Sequence, residues 1–111
     1  MEIELKLVRK NLIVRLKGEL DHHTASCFRE EVEREFEKEI AQNLVLNLGE
    51  LTFMDSSGLG VILGRYRRIT EKGGKVVVTN MQPQVERLYS LSGLQKIIPH
   101  YRREEEALRN L

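Results

Sequence analysis

The chain has 111 residues, the length of one domain, which is enough to bury a single hydrophobic core without disulfides or metals. Its 18 basic and 17 acidic residues nearly cancel, so no chain-wide field attracts nucleic acid or an anionic membrane. One cysteine, Cys27, cannot close an internal disulfide, and no apolar run resembles a signal peptide or a spanning helix. We therefore expect a soluble, cytoplasmic domain that contacts neither nucleic acid nor membrane directly.

The first sixteen residues predict a hairpin of two strands. Ile3, Leu5 and Leu7 alternate with charged residues, and after "RKN" the run Leu12–Leu16 is again mostly apolar. The following stretch "GELDHHTA", residues 18–25, predicts a loop.

An amphipathic helix is predicted from Thr24, with Thr24 or Asp21 as its N-cap. Cys27, one turn into this helix, is interpreted as a small packing residue. The apolar positions recur at steps of three and four, at Ala25, Phe28, Val32, Phe36 and Ile40.

The central part of the chain predicts a buried strand, a helix and a second strand. The continuous apolar run Leu44–Leu48 is typical of a strand that is covered on both faces in a parallel or mixed sheet. A helix is predicted from Ser57 to Glu71, ended by Gly73 and Gly74 and followed by the strand Lys75–Thr79.

The last third predicts a helix from Gln82 to Ser90, a short strand at Ile97-Ile98 and a solvated helix in "REEEALRNL". Strands that alternate with helices and connect by right-handed crossovers indicate an α/β domain of two or three layers. We expect one domain over residues 1–111, with a mixed, mostly parallel sheet, an N-terminal antiparallel hairpin and about four helices.

The stretch "FMDSSGLG", residues 53–60, lies where a predicted strand meets a predicted helix. Ligands and partners of open α/β sheets bind at such junctions, because loops converge there and helix N-termini present unpaired N–H groups. Asp55, Ser56 and Ser57 each suit the role of helix cap. The serines could also serve in catalysis or as a site of modification.

A catalytic serine or a phosphate-binding loop is weakly supported. A Gly-x-Ser-x-Gly motif centred on Ser56 would need glycine at position 54, which is Met54, and the candidate bases nearby in sequence are His22 and His23. The glycines at 58, 60 and 64 lack the Gly-Lys-Ser/Thr of a phosphate loop. The two histidines are interpreted as polar loop residues rather than metal ligands.

The predicted second helix has two distinct faces. Its expected buried stripe is Leu59, Ile62, Leu63, Tyr66 and Ile69. The opposite face is partly apolar and basic, and it could be a docking surface or a solvated face; its members are Gly58, Val61, Arg65, Arg68 and Lys72.

At "GELDHHTA" and "FMDSSGLGVILGRY" the sequence resembles the STAS-domain anti-sigma factor antagonists, in particular those of the sporulation sigma-F pathway. "LSGL" at residues 91–94 is similar to a motif found late in that family, and the order of elements agrees over essentially the whole chain. The resemblance implies a regulator of transcription that is not an enzyme. It binds an anti-sigma factor that is also a serine kinase, and so releases the sigma factor.

The resemblance further implies that phosphorylation by that kinase inactivates the protein and that a PP2C-type phosphatase restores it. The phosphate acceptor falls on Ser56, with Ser57 as second choice, and Asp21 falls on an acid that contacts the partner. Because Asp21 lies in a polar loop with no apolar periodicity around it, we expect it to contact the partner rather than to stabilise the fold. No cofactor of its own is implied; ATP or ADP belongs to the partner kinase. A phosphocarrier and a nucleotide-binding regulatory domain are the alternatives. The expected partner-binding residues are Asp21, His22, His23, Asp55, Ser57, Gly58, Leu59, Gly60, Val61 and Arg65.

Overall fold

Five strands form one sheet in which the spatial order of the strands equals their order along the chain. The description rests on a computed structural model that covers residues 1–111. The elements are β1 (Glu2–Val8), β2 (Asn11–Leu20), α1 (Ala25–Glu37), β3 (Asn43–Met54), α2 (Ser56–Glu71), β4 (Val76–Thr79), α3 (Pro83–Leu91), a 3-10 turn (Leu94–Lys96), β5 (His100–Tyr101) and α4 (Glu104–Arg109).

The sheet is mixed, as predicted. Strands β1 and β2 pair antiparallel as a hairpin, and β2, β3, β4 and β5 are parallel neighbours. Right-handed crossovers in a sheet that grows in one direction place every connecting helix on the same face. Helices α1, α2 and α3 accordingly share the main core, and the predicted α/β architecture with four helices is confirmed.

The main core lies between the sheet and helices α1 to α3. Its largest side chains, Tyr89 and Phe28, are fully buried, and the Tyr89 hydroxyl donates a hydrogen bond of 2.7 Å to the carbonyl of Ile98. That bond satisfies the one polar group of a ring that otherwise contributes apolar area. None of the four helices combines the length and the apolar character that crossing a membrane requires.

The terminal helix is not solvated on all sides, so that prediction is wrong. Ala107 of α4 is fully buried against Ile13, Val45 and Val77, on the face of the sheet opposite to the other helices. The alternation along β2, β3 and β4 explains the cluster, because these three residues point away from the main core. Helix α4 therefore adds a third layer over part of the sheet.

Two predicted boundaries near the site are also wrong. Strand β2 continues to Leu20, so the loop begins only at Asp21, and β3 runs twelve residues to Met54 rather than ending at Leu48. Pairing between the two strands persists through register shifts beyond Arg15 and Gly18. The continued pairing carries both strands past the end of β4 and towards the serines.

The prediction of a strand at Ile97-Ile98 is wrong because their N–H groups serve the preceding turn. Both donate to the carbonyl of Leu94, at 2.9 Å and 2.8 Å, and the two-residue strand β5 starts after Pro99. Helix α1 likewise ends before Ile40, since Glu39 adopts a positive φ of 62°. Ile40 is consequently 54% exposed rather than part of the helix stripe.

The buried line of α2 differs from the predicted stripe. Gly58, Ile62, Arg65 and Ile69 are the buried residues. Leu59, Leu63 and Tyr66 are only partly buried at the edge of the core. Helix α2 is thus rotated relative to the prediction, and a basic residue occupies a buried position that the pattern assigned to the surface.

A polar network holds α4 against the opposite face of the sheet. The Arg15 guanidinium donates two hydrogen bonds of 2.8 Å to Glu104 and one of 2.6 Å to Glu4, and the Asn47 amide also donates to Glu104. Hydrogen bonds from Arg15 lower the pKa of Glu104, although partial burial acts in the opposite direction. The same pair raises the pKa of Arg15. The network joins β1, β2, β3 and α4.

We predict that Glu104→Gln lowers the free energy of unfolding by about 1 to 3 kcal/mol at neutral pH, because a bidentate charged pair is replaced by a neutral amide. The carboxylate has a lowered pKa in the folded state, so its contribution is complete above the ordinary glutamate value of about 4.3 and is lost as pH falls through the folded value. Urea unfolding of the variant and the parent protein at a series of pH values should show that the difference in their free energies of unfolding becomes smaller as the pH falls from neutral to acidic.

Glu105→Gln is the matched control, because Glu105 is an exposed neighbour on the same helix. It should change the unfolding free energy by less than about 0.5 kcal/mol. A pH-independent effect of Glu104→Gln would contradict the role assigned to its charge.

Candidate functional site

The ends of β2 and β3 lie side by side and bring two loops together. Leu20 and Met54, the last residues of the two strands, are register partners, and the Asp55 N–H donates to the Leu20 carbonyl at 3.4 Å. Neighbouring parallel strands end at the same edge of a sheet, which is where α/β proteins place their sites. The segment Asp21–Thr24 therefore meets the start of α2.

Asp55 is the N-cap of α2 and also holds the neighbouring loop. Its Oδ1 accepts hydrogen bonds from the N–H groups of Ser57 at 2.9 Å and Gly58 at 3.1 Å, and its Oδ2 accepts from the His22 N–H at 3.3 Å. One carboxylate thus satisfies donors from two segments. Of the three capping candidates, the structure selects Asp55, which leaves the hydroxyls of Ser56 and Ser57 without a capping role.

Gly58 allows α2 to start directly against the strand ends. A Cβ at this position would lie 2.5 Å from the Leu20 carbonyl oxygen and 2.6 Å from Met54 Cγ. The glycine is buried, so the expectation that it lies on an exposed face is wrong, whereas its contact with a partner stays a prediction. Its role is to permit this close approach.

Asp21 has a structural function in the loop before α1. Its Oδ1 accepts hydrogen bonds from the N–H groups of His23 at 2.9 Å and Thr24 at 3.1 Å, while the Thr24 hydroxyl donates to the Glu19 carbonyl at 2.8 Å. Desolvation acts to raise the pKa of Asp21, but the hydrogen bonds to the carboxylate prevail and the pKa is lowered. The expectation that Asp21 plays no part in the fold is wrong; its contact with a partner stays a prediction.

Thr24 occupies the N-cap position of α1 but makes no side-chain capping bond there. Its hydroxyl instead accepts from the Asp21 N–H at 2.9 Å. The pair Asp21 and Thr24 therefore shapes the loop before α1, rather than either one acting as a simple helix cap.

The accessible residues around the start of α2 define what we call the serine surface: His22, His23, Phe53, Ser56 and Gly60. All five are exposed, and the two histidine rings lie edge to face with centroids 5.5 Å apart. Half-buried residues adjoin this surface, namely Asp21, Asp55, Ser57, Leu59 and Val61.

Phe53 is the site residue that the sequence analysis missed. It is 48% exposed, whereas the next residue, Met54, is buried. The alternation of a strand could have revealed it, because one of two successive apolar side chains must point away from the core. The apolar run Leu44–Leu48, from which the strand was predicted, does not extend to Phe53.

The cations of α2 lie away from Ser56. The first cation of α2 is Arg65, about 14 Å from Ser56 along the helix axis at 1.5 Å per residue. It is only 8% exposed and its Nη1 lies 3.3 Å from Glu33 of α1, so the expectation that it lies on an exposed face is wrong, whereas its contact with a partner stays a prediction. Arg68 and Lys72 are exposed as predicted, but still further along. No group of three His, Cys, Asp or Glu side chains is placed to hold a metal ion.

Comparison with known proteins places this chain in a family. Residues 2–107 match the model of the STAS domain. The chain is 49% identical over 111 residues to an anti-sigma F factor antagonist of Paenibacillus polymyxa, covering 100% of this chain and 95% of the relative. It is 29% identical over 98 residues to an anti-sigma-B factor antagonist of Bacillus subtilis, covering 88% of each.

Solved structures agree with this assignment. A putative anti-sigma factor antagonist from Thermotoga maritima superposes with a TM-score of 0.91 at 29% identity, covering 97% of this chain and 92% of that one. The Bacillus cell fate determinant SpoIIAA in its phosphorylated form superposes with a TM-score of 0.77 at 31% identity, covering 98% of both. The chain therefore belongs to the STAS domain family, among its anti-sigma factor antagonists.

Proposed function

We propose that the unmodified protein binds an anti-sigma factor through the serine surface and thereby releases a sigma factor, and that phosphorylation of Ser56 abolishes this binding. The observation that carries the proposal is the exposed Ser56 hydroxyl at the first residue of α2, beside a cap that Asp55 already provides. Two relatives are antagonists of anti-sigma F, and SpoIIAA is known in phosphorylated and unphosphorylated forms.

The fold can accept a phosphate on Ser56. The hydroxyl is accessible to a kinase, and a helix N-terminus favours added negative charge through its dipole and N–H groups. The capping bonds to Asp55 come from Ser57 and Gly58, so modification of Ser56 removes none of them. The core below α2 therefore needs no rearrangement.

A docked partner, in contrast, would meet an uncompensated charge. The phosphate adds about 1.5 to 2 negative charges beside the Asp55 carboxylate. The nearest cation on α2 is Arg65, which is buried and paired with Glu33. Burying a charge without a partner costs on the order of 3 to 5 kcal/mol, which is roughly a hundredfold to several-thousandfold in affinity.

The phosphate would come from the partner's nucleotide. In this scheme the anti-sigma factor is a serine kinase that transfers the γ-phosphoryl group of ATP to Ser56 Oγ and keeps ADP, while a PP2C-type phosphatase hydrolyses the phosphoserine. The chain itself supplies a hydroxyl and a docking surface, with no catalytic group or cofactor. We propose that it acts in the cytoplasm, on the sigma-F pathway of sporulation.

We predict that Ser56→Ala binds the anti-sigma factor like the parent protein and takes up no phosphate from that kinase and ATP. Ser57→Ala is the matched control and should be phosphorylated normally, because its hydroxyl is not the acceptor. Intact-protein and peptide mass spectrometry locate the phosphate. Modification at Ser57 instead would contradict the assignment, and transfer from phosphoserine to another acceptor without a phosphatase would favour a phosphocarrier.

We predict that Gly60→Gln blocks binding without harming the fold. No atom lies within 4 Å of a Cβ at Gly60, and replacing a helical glycine should stabilise by up to about 1 kcal/mol. The new side chain would project from the serine surface, and calorimetric titration with the anti-sigma factor should show at least about a tenfold loss of affinity.

Gly64→Gln is the matched control, because Gly64 also has open space around it one turn further along α2. It should stabilise the protein similarly and weaken binding less. If Gly60→Gln binds the anti-sigma factor as tightly as the parent protein, this part of α2 does not belong to the docking surface.

We predict that phosphorylated and unmodified protein share one backbone. Cores are densely packed and resist a local perturbation, and the phosphate lies outside the core. Amide hydrogen exchange should differ only at Met54–Gly60 and in the loop that contacts Asp55. Differences that reach Val76–Val78 or α1 would show an allosteric switch rather than a local effect of charge and bulk.

A further inference from the structure

A cavity lies between α1 and α2, near their C-terminal ends and away from Ser56. Its volume is about 360 Å³, within the range of small-molecule sites. The apolar part of its wall is formed by Val32, Phe36, Ala41 and Ile69, and the loops after the two helices close one side. The cavity shares no residue with the serine surface.

One buried cation in the cavity wall lacks a full set of partners. Arg65 is only 8% exposed, and its Nη1 lies 3.3 Å from Glu33, yet its Nε is buried without any hydrogen-bond acceptor. Burial lowers the pKa of Arg65; Glu33 opposes the shift, and the neighbouring cations Arg68 and Arg29 add to it. A buried charge with an unsatisfied donor is unfavourable, and an anion beside the guanidinium would offset part of the cost of burying that charge.

Arg65 dominates the electrostatics of the cavity because the other cations of the wall are solvated. Arg68 and Lys72 line the cavity beside Arg65, but both are solvent-exposed. The acids Glu37 and Glu39 lie on the opposite wall, but both are solvent-exposed. Solvated carboxylates repel an anion weakly, whereas the desolvated guanidinium interacts more strongly.

We propose that this cavity is a binding site for a small organic anion. Its carboxylate or phosphate accepts hydrogen bonds from the Arg65 guanidinium, and its apolar part packs on Phe36 and Ile69. Guanidinium groups bind both kinds of oxyanion well, and the apolar wall selects a ligand with a hydrocarbon portion over a bare ion. Such a ligand would bridge α1 and α2.

The test is a titration of the full chain, followed by ¹H–¹⁵N chemical shifts, with four probes. Benzoate and phenyl phosphate carry the two alternative anions on one apolar ring, benzyl alcohol lacks the charge, and inorganic phosphate lacks the ring. Saturable shifts are expected at the amides of Val32, Arg65 and Gly74 with at least one aromatic anion. Benzyl alcohol and inorganic phosphate should bind at least about tenfold more weakly.

Variants then assign the anion contact. Arg65→Met should weaken binding at least about tenfold, and Arg65→Lys, which keeps the charge but lacks the planar guanidinium, should weaken it measurably. Arg67→Met is the matched control, because Arg67 is an exposed residue of the same helix outside the cavity. The spectrum of each variant without ligand verifies its fold.

Several results would overturn the proposal. The wild-type titration alone rejects it if neither aromatic anion produces saturable shifts in the cavity, or if inorganic phosphate binds equally well. Equal weakening by Arg65→Met and Arg67→Met would also reject it, because the effect would then be one of net charge. Binding of the anti-sigma factor is a separate measurement, so this site and the proposed function fail or succeed independently.

Discussion

The close approach of α2 to the ends of β2 and β3 is the constraint on which the site depends. It needs a residue without a side chain at Gly58, where a Cβ would collide with the Leu20 carbonyl. It also needs a carboxylate at Asp55 that satisfies the helix N-terminus and the N–H of His22 together. The position of Ser56 follows, because a residue between a cap and a packed glycine has little freedom to move.

The sheet supports this arrangement by its unequal strand lengths. Strands β2 and β3 continue beyond the end of β4, so their last residues pair only with each other on that side. The paired extension places Phe53 and the start of α2 at the rim, on regular secondary structure rather than on a long loop. A site held in this way can keep its shape while one serine is modified.

Much of the fold could be predicted from sequence because its signals are local. Apolar alternation identified the hairpin, and the run at Leu44–Leu48 identified a central strand. The prediction of the buried face of α2 is wrong for a different reason. Arg65 is buried and pairs with Glu33 of α1, and no pattern within α2 reveals that partner. The sequence offers Asp55, Ser56 and Ser57 as possible N-caps of α2, and the hydrogen bonds in the structure identify Asp55 as the cap.

Only the part of the site that depends on local sequence signals could be predicted. The motif placed Ser56 at a helix start, but the structural use of Asp21 depends on backbone N–H groups of His23 and Thr24, whose directions are set by the turn. The exposed position of Phe53 depends on the extension of β3 to Met54, which the apolar run Leu44–Leu48 does not reveal. Tertiary context, rather than residue type, decided each of these cases.

The contact between Arg15 and Glu104 joins residues that are 89 positions apart. During synthesis, a ribosome must therefore release nearly the whole domain before α4 can cover Ile13, Val45 and Val77. Until then the nascent chain carries a bare apolar strip on one side of its sheet, and long-range closure of this kind slows folding. We therefore expect the packing of α4 against the sheet to be a late step in the folding of this domain.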